Sequence, residues 1–472
     1  MIIGRTSEIQ ILRGALEDTQ SHFIAVYGRR RIGKTFLIRE TYENRFTFQH
    51  AGISDGSLQE QLFAFDASLK DAGLEPGKPS RNWAEGFEKL KDLIRQSTEN
   101  RKIIFIDELS WMDTPRSNML RALEHFWNGW ASARKDIILI VCTSATSWML
   151  SKVIHHKGGL YNRLTEQIHL KPFRLAVCEE YVRSRKLALN REQILQYYMI
   201  FGGVPYYWSF LRRGLSLTQN IDRILFAEDA PLGDEFQYLY AAIFKHPEDY
   251  LRIVETLARR KEGMTREKII SHAGLTNSGD LTKKLQELES CGFIRKYTAF
   301  GKKAKDAVYQ LIDHFTLFYY HFLIDQPTDE HFWGNQLNTP AVNTWMGLAF
   351  EQVCLQHVRQ IKEKLGIAGV LTDVNAWRCT ADPEKGLFGS QIDLLIARKD
   401  QVINLCEMKY SGTEYTITSA AARSIRHKIS DLRTGTGTKY AIHPTLVTTF
   451  GLVDNTHADL IQSVVTMEDL FV

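Results

Sequence analysis

The chain is 472 residues long, 44% hydrophobic and 24% charged, the ordinary make-up of folded protein, and its length suggests roughly two to four domains rather than one core. A formal net charge of only +4 excludes a globally basic nucleic-acid binder, so any such surface must be local. No apolar stretch reaches the ~18 residues of a spanning helix, and Met1 runs straight into IIGRTSEIQIL without a signal peptide, so a cytoplasmic protein is expected.

The apolar run Phe23 to Tyr27 reads as a strand that enters a turn and then a helix. Gly28, Gly33, Lys34 and Thr35 fit G-x-x-x-x-G-K-[ST] in that context, the pattern of a phosphate-binding loop. Glycines let backbone N–H groups curl around phosphates, the helix N-terminus adds a positive dipole end, Lys34 reaches the β/γ-phosphates and Thr35 can hold Mg²⁺. The expected contacts to ATP are Gly28, Arg29, Arg30, Arg31, Ile32, Gly33, Lys34, Thr35 and Phe36. A second apolar run, Ile103 to Ile106, ends in Asp107 and Glu108. Acids at the carboxyl end of a central parallel strand face the ligand crevice, so Asp107 is expected on the Mg²⁺ side and Glu108 on the attacking water. A third strand ends in Thr143 and Ser144, either a γ-phosphate sensor or a plain strand-end turn. Arg163, in a polar break before another short strand, is a candidate arginine finger or an ordinary surface arginine.

Taken together, IIGRTSEIQIL, GRRRIGKT, IIFIDE, GGLYNRLTEQIHLKPF and FGGVPYY resemble a prokaryotic family of AAA-type, STAND-related P-loop ATPases, the archaeal-type ATPases. The resemblance covers roughly the first half of the chain. It implies an α/β P-loop core on a parallel sheet, a helical lid at about Leu170 to Asp229, and Gly4 and Arg5 near the adenine. One departure is CTSATSWM, where Gly-Ser is usual, which leaves the sensor open.

Beyond the lid, Leu251, Val254 and Leu257 mark one helix, Thr265 opens a second, and Asp280 is expected to cap a third that carries Leu281, Leu285 and Leu288. A strand from GFI, a basic loop and a returning AVYQLID complete a winged helix-turn-helix pattern. Lys283, Lys284, Arg295, Lys296, Lys302, Lys303 and Lys305 are its candidate phosphate contacts, with a protein–protein spacer as the alternative. The aromatic run Leu311 to Asp325 has almost no basic residue, so it is read as packing rather than as a stacking platform, and it resembles the linker helix of the same family.

The last third reads α-β-β-β-α-β: a helix of roughly Trp345 to Leu365 carrying Glu351, a strand near Val370 to Cys379, strands Ile392 to Ala397 and Val402 to Lys409, a helix from about Thr418 to Leu432, and a strand near Tyr440 to Phe450. Period-two alternation puts Glu407 and Lys409 on one side of their strand and Met408 on the other, and Asp393 on the adjacent hairpin strand can meet Glu407. Paired carboxylates suit Mg²⁺ or Mn²⁺; Lys409 is placed to orient or deprotonate a water, and Glu351 to receive a metal-bound water. Such a domain resembles the PD-(D/E)xK nuclease superfamily, which implies Asp393, Glu407 and Lys409 as the catalytic core and Glu351 as the helix acid, with Ile392 in place of the usual proline. Asp382 and Glu384 are lower-ranked alternatives.

The expected organisation is a P-loop ATPase core over 1–170, a helical lid over 171–245, a winged helix with its aromatic linker over 246–325, and an α/β restriction-endonuclease-like domain over 326–472. Cys142, Cys178, Cys291, Cys354, Cys379 and Cys406 show no C-x-x-C pair and read as reduced, buried thiols. The functional expectation is an ATP- and Mg²⁺-dependent ATPase coupled to DNA binding and metal-dependent cleavage, with a homo-oligomer or a partner protein as further possibilities. Its rivals are a signalling ATPase and a replication-initiator-like DNA-binding ATPase whose last domain is silent.

Overall fold

The apolar runs of the first third show little alternation because the strands they form are covered on both faces. In the computed structural model, which describes residues 2–155, 158–244, 246–301, 307–325 and 327–472, these are β1 His22–Tyr27, β2 Phe48–Ala51, β3 Lys102–Asp107, β4 Ile137–Thr143 and β5 Glu166–His169. They form one sheet in the order β2-β3-β4-β1-β5, parallel throughout. Phe23, Ala25, Ile104 and Leu139 share a core with helices Leu58–Asp71, Trp83–Gln96 and Met119–Gly129. Their neighbours Ile24, Val26, Phe105 and Ile140 share the opposite core with helices Thr6–Glu17 and Lys34–Thr41. The register sets Tyr27 beside Thr143 and Ile106 beside Val141, which aligns the carboxyl ends of β1, β3 and β4.

These elements form one of two compact units, Met1–Pro172; the other is Phe173–Val472. The second unit starts with short helices, including Arg191–Phe201 and Leu217–Leu225, whose first turns are closed by reciprocal side-chain bonds between Asn190 and Gln193 and between Ser216 and Gln219. Helix Glu248–Ala258, β6 Met264–Thr265, helices Arg266–Ala273 and Gly279–Ser290, β7 Ile294–Tyr297 and β8 Val308–Leu311 follow, with an antiparallel sheet ordered β6-β8-β7. The cap of helix Gly279–Ser290 is Ser278, whose hydroxyl accepts from Leu281 N–H, and not the expected Asp280. Phe315, Phe318 and Phe322 of the aromatic run are buried, Phe318 against Trp333 and Trp345.

The C-terminal sheet is β9 Thr372–Arg378, β10 Gln391–Arg398, β11 Val402–Lys409, β12 Ala441–Thr448 and β13 Ser463–Thr466, in the order β13-β12-β11-β10-β9. Pairings from β9 to β11 are antiparallel and those from β11 to β13 parallel. Leu394, Ile396, Cys406 and Met408 share a core with helix Pro340–Gln356, whereas Leu395, Ile403 and Leu405 pack with Leu432 of helix Ser419–Thr436. Two features differ from the expected order. The first helix starts at Pro340 and breaks at His357 before Val358–Lys364, and β13 extends the parallel edge. At the break His357 accepts from Leu175 N–H through Nε2 at 3.2 Å while Nδ1 meets Val353 O at 2.8 Å. Among the described residues all six cysteines are free, with Cys379 alone not fully buried, and no helix is long and apolar enough to cross a membrane.

Candidate functional site

The loop after β1 turns through left-handed backbone at Gly28 (φ 146°), Arg31 (φ 68°) and Gly33 (φ 89°) before helix Lys34–Thr41. At Gly28 the constraint is also steric, since a Cβ would stand 2.3 Å from Leu170 O. Lys34 is buried, its Nζ donating to Gly28 O at 2.9 Å and Arg29 O at 3.0 Å, so the loop curls around its own lysine. Thr35 Oγ1 donates to Asp107 Oδ2 at 2.6 Å. A hydroxyl and a carboxylate brought together beside a phosphate loop are the oxygen donors Mg²⁺ takes, so these residues fit the ion.

Glu108 adopts φ 46° at the end of β3, which turns its carboxylate toward β4. There Oε2 accepts from Ser144 N and Oγ, both at 3.0 Å, and from Thr143 Oγ1 at 3.4 Å. Thr143 and Ser144 thus hold the acid in this arrangement. Arg29 and Ile32 are buried, Ile32 within the core; Arg30 and Arg31 are half-buried, and Phe36 is 52% exposed. Arg163 is exposed in the turn before β5. Arg5 donates to Lys171 O at 2.8 Å and pairs with Glu8.

In the second unit, Glu351, Asp393, Glu407 and Lys409 line one cleft of about 470 Å³, with Arg423, His427 and Lys428 from helix Ser419–Thr436 and Lys261 from the turn before β6. Pairing of Leu394 with Cys406 sets Asp393 across from Glu407, and a register break between Ile392 and Leu395 in the β9–β10 pairing falls on Asp393. Glu407 is spanned by two ammonium groups, Lys409 at 2.9 Å on Oε1 and Lys428 at 2.6 Å on Oε2. Burial pushes its carboxyl up, but Lys428 and Lys409 outweigh burial and hold it below the ordinary value. Burial likewise disfavours the Lys409 ammonium and Glu407 more than restores it, so Lys409 is a held cation, suited to orienting an anion or a water and poor at deprotonating one. The Glu351 carboxyl is pushed up to about 7, by burial first and by Asp393 second.

Glu351, Asp393 and Glu407 offer the hard oxygen donors that Mg²⁺ or Mn²⁺ takes. Among the described residues no three His, Cys, Asp or Glu side chains stand at ligating spacing, and two of these acids are paired with lysines, Glu351 with Lys261 and Glu407 with Lys409 and Lys428. Asp382 pairs with Lys385 in an exposed turn, and neither it nor Glu384 lines the cleft. Sequence reasoning missed Lys428, Arg423, His427 and Lys261. Arg423 and His427 carry a recoverable signal, i,i+4 spacing on one helix face, with Lys428 next to His427.

The expected basic surface is smaller than its lysine count. Lys284 is 14% exposed and paired with Asp249 at 2.9 Å and with Asp280. Arg295 is half-buried and donates to Gln310 Oε1 at 2.7 Å. Lys283 and Lys296 are exposed, and Lys296 shares an open groove with Arg266 and Thr282. Lys302, Lys303 and Lys305 lie outside the described residues.

A parallel sheet with its phosphate loop after β1 and its acids after β3 defines a P-loop NTPase. Residues 3–209 match the model of an ATPase domain found predominantly in Archaea. A curated protein of Methanocaldococcus jannaschii is 26% identical over 381 residues, 80% of this chain and 82% of that one. An ATP-binding protein of the same organism is 38% identical over 45 residues, 10% of this chain and 76% of its own. The solved Walker-type ATPase of Pyrococcus abyssi superposes with a TM-score of 0.50 at 16% identity, covering 68% of this chain and 96% of its own, a likeness of fold.

Proposed function

We propose that the protein hydrolyses ATP at the loop of its first unit and cleaves phosphodiester bonds, with DNA as the substrate, in the Glu351–Asp393–Glu407 cleft of its second. For the first activity the residues divide by geometry. Lys34 neutralises the phosphates once it exchanges the carbonyls of Gly28 and Arg29 for them. Thr35 and Asp107 would hold Mg²⁺, which would supply positive charge against the phosphates. Glu108 orients and polarises the attacking water once Ser144 yields it.

The observation that carries the second activity is the convergence of Glu351, Asp393, Glu407 and Lys409, from a helix and two strands, in one cleft. A divalent ion bound by the acids supplies Lewis acidity toward a phosphate. Lys409, held charged, orients the nucleophilic water or stabilises the phosphate, and Arg423, His427 and Lys428 on the facing helix neutralise the strand being cut. The three-stranded sheet and helices between Glu248 and Leu311 read as a winged helix, and Lys296 with Arg266 gives it a local cationic groove.

The test is incubation of plasmid and linear DNA with Mg²⁺ or Mn²⁺. Asp393→Asn and Lys409→Met should each abolish cutting and leave ATP hydrolysis intact, whereas Lys34→Ala should abolish hydrolysis. Cutting that survives both cleft substitutions would reject the nuclease reading and leave a binding module.

A further inference from the structure

Lys261 reaches this cleft from a different part of the chain than its other residues. It sits in the turn 259–263 between helix Glu248–Ala258 and β6, and its Nζ lies 3.4 Å and 3.5 Å from the two carboxylate oxygens of Glu351. The turn is clamped from behind: Gln310 Nε2 donates to Lys261 O, and Tyr297 Oη donates to Glu262 O at 2.8 Å. Glu262 and Tyr297 in turn face Asp393 across a narrow gap. Phe300 ties the same layer down, its N–H donating to Ala376 O at 3.0 Å on the β9 edge while its ring packs on the sheet core. One ammonium is therefore delivered by a braced turn onto the helix acid of the cleft.

Resting on the metal-dependent reading of this cleft, we propose that Lys261 is a built-in competitor of the divalent ion. It neutralises Glu351 while the cleft is unloaded and must give way when the ion arrives. An ammonium and a divalent cation cannot both approach one carboxylate closely without like-charge repulsion in a partly desolvated site. Loading the cleft and loosening the turn 259–263 are then two faces of one equilibrium, and by reciprocity whatever frees the turn strengthens ion binding by the same factor. Any ligand that pulls the segment of helices Arg266–Ala273 and Gly279–Ser290 away from the cleft would license it.

The experiment uses nucleotide-free full-length protein titrated with Mn²⁺, with free Mn²⁺ read by paramagnetic resonance and backbone exchange read by mass spectrometry. Lys261→Met should bind Mn²⁺ about tenfold more tightly than wild type, an ordinary coupling between sites. Lys399→Met removes one charge paired with Asp373 at the far end of β10 and should change nothing. In the unsubstituted protein Mn²⁺ should increase amide exchange over 259–263, and with Asp393→Asn it should not. Equal Mn²⁺ affinity with and without Lys261, equal tightening by Lys399→Met, or exchange indifferent to Mn²⁺ would each overturn the competitor role while Asp393-dependent binding kept the metal site. Mn²⁺ binding unaffected by Asp393→Asn would instead remove the metal site, and this inference with it.

Discussion

Glu108 is held in a left-handed conformation with its carboxylate bonded to Ser144, and that fixes what a conservative change should do. A glutamine keeps an oxygen for the Ser144 N–H but loses the charge that polarises water. Glu108→Gln should therefore lower the ATP hydrolysis rate by about 10²–10⁴-fold and leave ATP binding within a few-fold. A steady-state assay with a nucleotide-binding titration checks this, and loss of binding equal to the loss of turnover would sink the assignment. His357 allows a second residue-scale prediction. Its Nε2 accepts from Leu175 N–H, so Nδ1 must carry the proton that meets Val353 O, and the ring is neutral. Burial pushes its pKa down to about 4. A folded-state value below the unfolded one favours the neutral form, so the stabilisation is complete above about pH 6.5 and is lost as pH falls from there toward 4. This histidine alone should destabilise the second unit by about 2 kcal/mol at about pH 5, and His357→Gln should flatten that acid slope in urea titrations.

Among the elements, β1 and its loop depend on one close approach. Leu170 N donates to Tyr27 O at 2.8 Å, which brings the chain after β5 against Gly28, and a methyl group at Gly28 would collide with Leu170 O. Gly28→Ala should cost at least about 2 kcal/mol in chemical unfolding of the first unit and should weaken ATP binding, because the loop must shift to accommodate it. A loss below about 0.5 kcal/mol would show that the contact is slack. At the same scale, β11 places Glu407 and Lys409 on one side by alternation, and helix Ser419–Thr436 adds the second lysine. The strand could be read from the sequence because its period is local. Lys428 could not, because its partner lies 21 residues away on another element.

For the whole molecule, two compact units with separate cores predict two unfolding transitions in calorimetry. At constant Mg²⁺, ATP should raise only the transition of the first, by about 2.7 kcal/mol at an ATP concentration ~100 times Kd, and Lys34→Ala should remove the shift. If nucleotide also gates the cleft, DNA cleavage rates must differ between ATP, ADP and no nucleotide, since a ligand shifts an equilibrium only by binding one arrangement better. Equal rates would leave the two activities side by side on one chain.

What the sequence determined alone is whatever depends on neighbours along the chain: the phosphate loop from Gly28 to Thr35, the acids that close an apolar strand at Asp107 and Glu108, and the alternation of Glu407 and Lys409. Strand period, turn chemistry and helix start are short-range physics and leave short-range patterns. Tertiary structure alone decided the charge partners drawn from distant elements. Lys284 was spent on Asp249, 35 residues away, and Glu351 met Lys261, 90 residues away. Ion pairs between distant elements carry no periodicity, because only the folded chain decides which charges share a space.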